Sequence, residues 1–149
     1  MILKLNRVRR EIIMKISLAT NFDDELIEKV KEYPIYEVYG KLNEDIIGGG
    51  RPSNYLKNLD VKKFENHVKK VRSYGFNFNY LLNSACLANY NQDETWVKNV
   101  IEFLSYLKSI NVNALTITNP YLVDLVKRNF GNDFIIRVSS FACIDNYEK

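Results

Sequence analysis

The sequence predicts an α/β fold, the opening part of a TIM-like (βα) barrel with about five parallel strands and four helices, its barrel incomplete. Three observations predict it. From residue 15 onward, short runs rich in β-branched and aromatic residues alternate about four times with longer runs of helical periodicity. The units recur every ~25 to 40 residues, the spacing of crossovers between parallel strands. The strand-like runs end on polar or glycine residues at Thr20-Asn21, Gly40-Lys41, Asn83-Ser84 and Asn119-Pro120. In repeating βα architectures those ends form one face, and ligands bind there.

Each element has its local reason. Residues 15–20 (KISLAT) form the first strand. Asn21, Asp23 and Asp24 supply capping side chains, and Leu26, Ile27, Val30 and Tyr33 recur at helical spacing until Pro34 ends the helix. Residues 35–41 (IYEVYGK) are the second strand, followed by a long loop over 42–59. Asp60 caps the second helix, with Val61, Phe64, Val68 and Val71 as its apolar stripe and Gly75 at its end. Residues 76–83 (FNFNYLLN) make the third strand, and 89–92 a polar loop. Asp93 opens the longest helix, which buries Trp96, Val97, Val100, Ile101, Leu104, Leu107 and Ile110. Residues 114–118 (ALTIT) form the fourth strand. Asn119 and Pro120 start the last helix as N-cap and first-turn proline. Leu122, Val126 and Phe130 line it, and Gly131 closes it. Residues 133–142 (DFIIRVSSFA) are the fifth strand, and 144–149 begin a further helix.

Composition narrows the function classes. The formal charge of +3 comes from Lys and Arg interleaved with Asp and Glu, without the one-sided basic stripe of a nucleic-acid surface, so nucleic acid is not an expected partner. Two cysteines, Cys86 and Cys143, lack the CxxC or Cys/His spacing of a zinc site or a disulfide framework. No apolar run reaches the roughly 18 to 20 residues that span a bilayer, so no membrane contact is expected and the compartment reads as cytoplasmic. Residues 1–14 are a basic, charge-interrupted extension without the apolar core of a signal peptide. Met14, just before the first strand, is the expected natural start, which leaves residues 15–149 as the domain.

Three segments in order, LATNFDDE (18–25), VYGKLNEDIIGGGRPS (38–53) and FNYLLNSACLAN (78–89), resemble the N-terminal half of the U32 peptidases, also called collagenase-like proteases. TITNPYLVDLVKRNF and IRVSSFACIDN resemble the later βα units of the same family. The resemblance implies a TIM-like barrel with its site at the strands' C-terminal face, and for some members peptidase activity. It also implies, for other relatives, a role in hydroxylating ubiquinone precursors or RNA, with an iron–sulfur cluster on four cysteines. Those cysteines fall in the part of the family pattern beyond residue 149, so no cofactor is predicted here.

The candidate site residues follow from position and chemistry. Gly48, Gly49, Gly50 and Arg51 form a glycine-rich loop able to offer backbone N–H groups and a guanidinium to an anion, or else a surface turn. Lys41 follows the second strand at the barrel mouth, either meeting a substrate carboxylate or standing in solvent. Asn21, Asn83, Asn119 and Ser139 lie at strand ends. Asn83 reads as a polar contact, Asn119 as a helix cap, and Ser139 and Ser140 as small residues closing the fifth strand. Cys86 has no histidine near it in sequence and reads as a small, at least partly buried thiol. His67, the one histidine, falls between Phe64 and Val71 amid lysines and reads as lying outside the barrel, far from its mouth. Glu37, alternating with Tyr36 and Val38, reads as a buried carboxylate of functional weight or a barrel-lining ion pair.

The expected function is therefore that of a U32-like peptidase hydrolysing a peptide or similar amide, truncated here. The alternative is a non-catalytic binding or accessory module. Five strands leave an apolar edge after the last, to be covered by a missing C-terminal half or a second chain.

Overall fold

A computed structural model describes residues 14–48, 59–88 and 93–144. The expectations for the extension 1–13, for the loop 89–92 and for a helix over 145–149 lie outside the described residues. Five strands, β1 (Ile16–Ala19), β2 (Ile35–Gly40), β3 (Asn77–Leu82), β4 (Ala114–Ile117) and β5 (Ile135–Val138), form one sheet in the order β1-β2-β3-β4-β5. Every pairing is parallel. Between them run α1 (Asp24–Val30), α2 (Val61–Ser73), α3 (Glu94–Ser109) and α4 (Pro120–Phe130).

Strictly sequential strand order is that of a singly wound sheet, in which crossovers of one hand place all helices on one face. The burial pattern agrees. Val38, Phe78, Tyr80, Leu82, Leu115 and Ile117 share that face and are fully buried beneath Ile27, Phe64, Val68, Val100, Leu104 and Val126 from the helices. Phe64 sits edge-on to both Phe78 and Tyr80, an arrangement that suits the aromatic quadrupole. The opposite face carries Ser17, Glu37, Asn79, Thr116 and Arg137, which alternate with the apolar set as strand geometry requires.

The helix starts are set locally. Asp23, Asp60, Asp93 and Asn119 are N-caps whose side chains accept backbone N–H groups of the first turn. Gly75, just past α2, has φ of 80°, a conformation costly for any residue with a Cβ.

Four expectations need correction. The first helix stops at Val30, and Tyr33 is 62% exposed rather than part of the apolar stripe. Tyr33 precedes a proline, which disfavours helix there, and Pro34 is drawn into the sheet by accepting the Ile16 N–H. Val61, at the first turn of α2, is 52% exposed. The fifth strand ends at Val138: Ser139 accepts the Phe141 N–H and caps a 3₁₀ turn over Ser140–Ala142, a local bond that competes with the ladder. Cys86 is exposed, because the chain turns out of the sheet after β3.

Candidate functional site on the concave face

On the sheet face away from the helices, the polar side chains of all five strands form one bonded system. The Ser17 hydroxyl donates to Glu37 Oε1 at 2.8 Å, and Asn79 Nδ2 donates to the same oxygen at 3.3 Å. The Thr116 hydroxyl donates to Asn79 Oδ1 at 3.0 Å. Arg137 Nε donates to Glu37 Oε2 at 2.7 Å. β2 and β5 are separated by two strands, so in a flat sheet they would stand ~14 Å apart. The direct ion pair therefore reports a sheet curled into part of a barrel, with this face concave.

An irregularity in β1–β2 pairing supports the same arrangement. Ile16 pairs with Ile35 but Ser17 pairs with Glu37, which leaves Tyr36 as the extra residue of a bulge. Bulges redirect side chains. The Tyr36 ring here lies 5.2 Å from Arg137 Cζ and 4.5 Å from Lys15 Nζ, within cation–π range of both.

Glu37 is almost wholly buried, with a side chain 5% exposed, and it accepts three hydrogen bonds. Burial of a carboxylate is costly unless it is paired and bonded, and here it is both. Its hydrogen bond to Arg137 in turn holds the guanidinium above its usual pKa. Beside these residues lies a depression of about 280 Å³, whose wall also includes Tyr39, Asn83, Ser139 and Ser140.

The candidate residues thus separate. Asn83 and Ser139 come together at the depression with Asn79, Glu37 and Arg137. Asn119 caps α4, accepting the Tyr121 N–H at 2.9 Å. Asn21 is exposed and accepts the Asp23 N–H, in the turn that leads into α1. Lys41 is buried, with its ammonium 3.0 Å from Asp45 Oδ2. Asp45 also accepts the Tyr80 hydroxyl and the N–H groups of Ile47 and Gly48, so it pins the start of the loop after β2. Burial, and then the adjacent Asp45 charge, push the Tyr80 hydroxyl far above its ordinary pKa and keep it a donor. Gly49, Gly50 and Arg51 lie outside the described residues.

His67 lies on the helix side of the sheet, outside the strand barrel and away from the concave face, as its position in the sequence predicts. It is 1% exposed and sits between α2 and the end of β1. Nδ1 lies 2.6 Å from Asp24 Oδ1 and Nε2 lies 2.8 Å from Thr20 Oγ1. A carboxylate can only accept, so Nδ1 carries the proton. Nε2 then accepts the threonine hydroxyl, whose oxygen accepts the Phe22 N–H at 2.9 Å. This Thr–His–Asp chain resembles a nucleophile relay in connectivity, but Thr20 is fully buried on the helix side of the sheet. It fastens α1 and α2 to β1.

An iron–sulfur cluster on four thiolates does not fit these residues, because the sequence has two cysteines, each exposed, one after β3 and one after β5. Among the described residues no group of three or more His, Cys, Asp or Glu converges to hold a metal ion. None of the described helices is long and apolar enough to cross a membrane.

No protein-family model matches the chain. Among curated proteins it is similar to the Uncharacterized protease MJ1657 of Methanocaldococcus jannaschii, with 30% identity over 124 residues, 83% of this chain and 35% of that protein. Among solved structures it is similar to the U32 peptidase Mk0906, with a TM-score of 0.67 and 16% identity, over 91% of this chain and 52% of that one. The chain thus spans about a third of the curated relative's length and about half of the solved one. The family that its segments resemble and the family whose fold it shares are the same, the U32 peptidases.

Proposed function

We infer that this chain is the N-terminal part of a U32-type peptidase barrel, which handles a peptide or similar amide at the concave mouth formed by its strand ends. The observation that carries the reading is the union of Ser17, Glu37, Asn79, Thr116 and Arg137, one polar residue per strand, in a single system beside an open depression. Glu37 and Asn79 are buried at mid-strand, and the depression beside them reaches the strand C-terminal ends at Asn83, Ser139 and Ser140, the end where βα barrels bind ligands. In this reading Glu37 fixes the donors, and Asn79, Arg137 and Ser139 orient an amide. Cytoplasmic location and a peptide substrate belong to this reading, as does completion of the barrel by a C-terminal half or a second chain.

One observation favours a second reading, a non-catalytic binding or accessory module. The single histidine of the sequence is spent on the helix side of the sheet. No described hydroxyl or thiol at the depression therefore has an imidazole beside it to activate it. Incubation of the chain with a mixed peptide pool, followed by mass spectrometry, separates the two. New termini that vanish with Glu37→Gln support the peptidase reading. Intact peptides that still bind support the accessory one.

A further inference from the structure

The hydrogen bonds of the concave face run in one direction, and the direction specifies a ligand. Ser17, Asn79 and Arg137 all donate to Glu37, and Thr116 donates to Asn79. Three of the roughly four acceptor positions of the Glu37 carboxylate are taken by its neighbours. What the cluster leaves unspent is mainly donor capacity. Arg137 carries five N–H donors and gives one to Glu37. Its Nη2 is buried and has no hydrogen-bond partner among the described residues. A buried donor atom left without a partner is costly, and such atoms in native proteins mark the place of an acceptor. The side chain as a whole is one third exposed and forms part of the wall of the ≈ 280 Å³ depression, so the acceptor can arrive from solvent.

We propose that this depression binds a carboxylate, the free C-terminal or acidic side-chain carboxylate of a peptide, gripped by the outer edge of the Arg137 guanidinium. Glu37 and the Tyr36 ring hold that guanidinium in place, and Ser139 and Asn79 flank the bound anion. The planar, two-point geometry of a guanidinium matches a carboxylate, and a lysine could not reproduce it. Glu37 neutralises Arg137, so the pair is stable without a counter-ion of its own. The inference rests on the peptide-directed reading and adds that the site discriminates an acid from its amide.

The test uses the full chain and two probes, an N-acetylated tripeptide with a free C-terminal carboxylate and the same tripeptide as its C-terminal amide. Binding is followed by chemical-shift perturbation at backbone N–H groups of Asn79, Ser139 and Ser140. The expected result is that the acid binds about tenfold more tightly than the amide, with Arg137→Lys reducing the preference and Arg137→Met abolishing it. Circular dichroism confirms that each variant keeps its fold. Arg137→Lys retains a cation beside Glu37, so it reads the grip separately from stability. Equal binding of acid and amide overturns the carboxylate inference and leaves the peptide-directed reading standing. Absence of binding by either probe, together with an uncut peptide pool, overturns both.

Discussion

Arg137 on β5 donates through Nε to Glu37 on β2 at 2.7 Å, so two strands that are not neighbours are joined across the concave face. The pair is both a site element and a fastener of sheet curvature. Removing one partner leaves the other as a partly buried charge, a change that costs 3–5 kcal/mol at fully buried pairs and less where solvent reaches one side. Because the Arg137 side chain is one third exposed, Glu37→Ala is expected to destabilise the chain by about 2 kcal/mol in urea unfolding. A double-mutant cycle with Arg137→Ala should return most of that loss as coupling. Additive losses would mean that the pair does not hold the curl.

Gly40 is where β2 passes close to the end of β1. A Cβ added there would lie 2.8 Å from Thr20 Cγ2 and 3.0 Å from Phe22 Cζ. Thr20 cannot swing away without breaking its bonds to His67 and Phe22. Gly40→Ala is therefore expected to cost about 1–3 kcal/mol by overpacking, read as a lower urea midpoint at unchanged slope.

Most of the fold was legible in the sequence because its signals are local. Asp60, Asp93 and Asn119 stand where they cap, and Pro120 sits in the first helical turn behind its cap. The site was legible only in part. Asn83 and Ser139 line the depression near the strand ends where they were expected, and Glu37 forms the barrel-lining ion pair that was one of its two readings, but its partner Arg137 depends on curvature that nothing local encodes. One signal was available: a lone acid and a lone base of opposite sign in two otherwise apolar strands. His67 was set on the helix side, away from the mouth, because residues 64, 67, 68 and 71 share one helical face; its bonds to Thr20 and Asp24 are long-range, and no local pattern encodes them. Lys41 was correctly set at the end of β2, but its partner Asp45 lies in a loop whose course periodicity does not predict.

Acid should loosen the junction of α1, α2 and β1. Burial lowers the His67 pKa from its ordinary value near 6.5, with the Asp24 hydrogen bond opposing the shift only in part. The unfolded chain therefore takes up the proton first as pH falls. Stability is full above about pH 6.5, declines below it, and levels off once the pH passes the folded-state pKa. The sequence has one histidine, so urea midpoints between about pH 5 and 8 should report chiefly this group. His67→Gln is expected to flatten the profile. A slope that survives the substitution would assign it to carboxylates.

Lys41 and Asp45 are both buried, with side chains 3% and 0% exposed. Asp45→Ala would strand the ammonium and release the Tyr80 hydroxyl and two backbone N–H groups at once. A loss of about 3–5 kcal/mol is expected, with hydrogen exchange accelerating first at Ile47 and Gly48. Lys41→Met, similar in length and uncharged, should cost less than Asp45→Ala, because Asp45 keeps its three other donors. The reverse order would show that Lys41, rather than Asp45, organises the loop.

Among the described residues, the edge beyond β5 is apolar and exposed. Val138 is 61% exposed, Phe141 52%, Ile144 53% and Ile135 39%. Val138 and Ile144 line a groove of about 500 Å³ between β5 and α4, together with Ile117, Pro120, Val123 and Ala142. Exposed strands of this kind pair with whatever strand is offered, and natural proteins guard them with charge. In isolation the chain is expected to self-associate with rising concentration, read by light scattering. Val138→Lys should suppress the association while leaving the urea midpoint nearly unchanged, because the side chain makes little of the core. Association that persists in Val138→Lys would move the contact to β1, the other edge of the sheet. A chain that stays monomeric at all concentrations would mean that the β5 edge is already covered, and the groove beside α4 would then be occupied from within the same molecule.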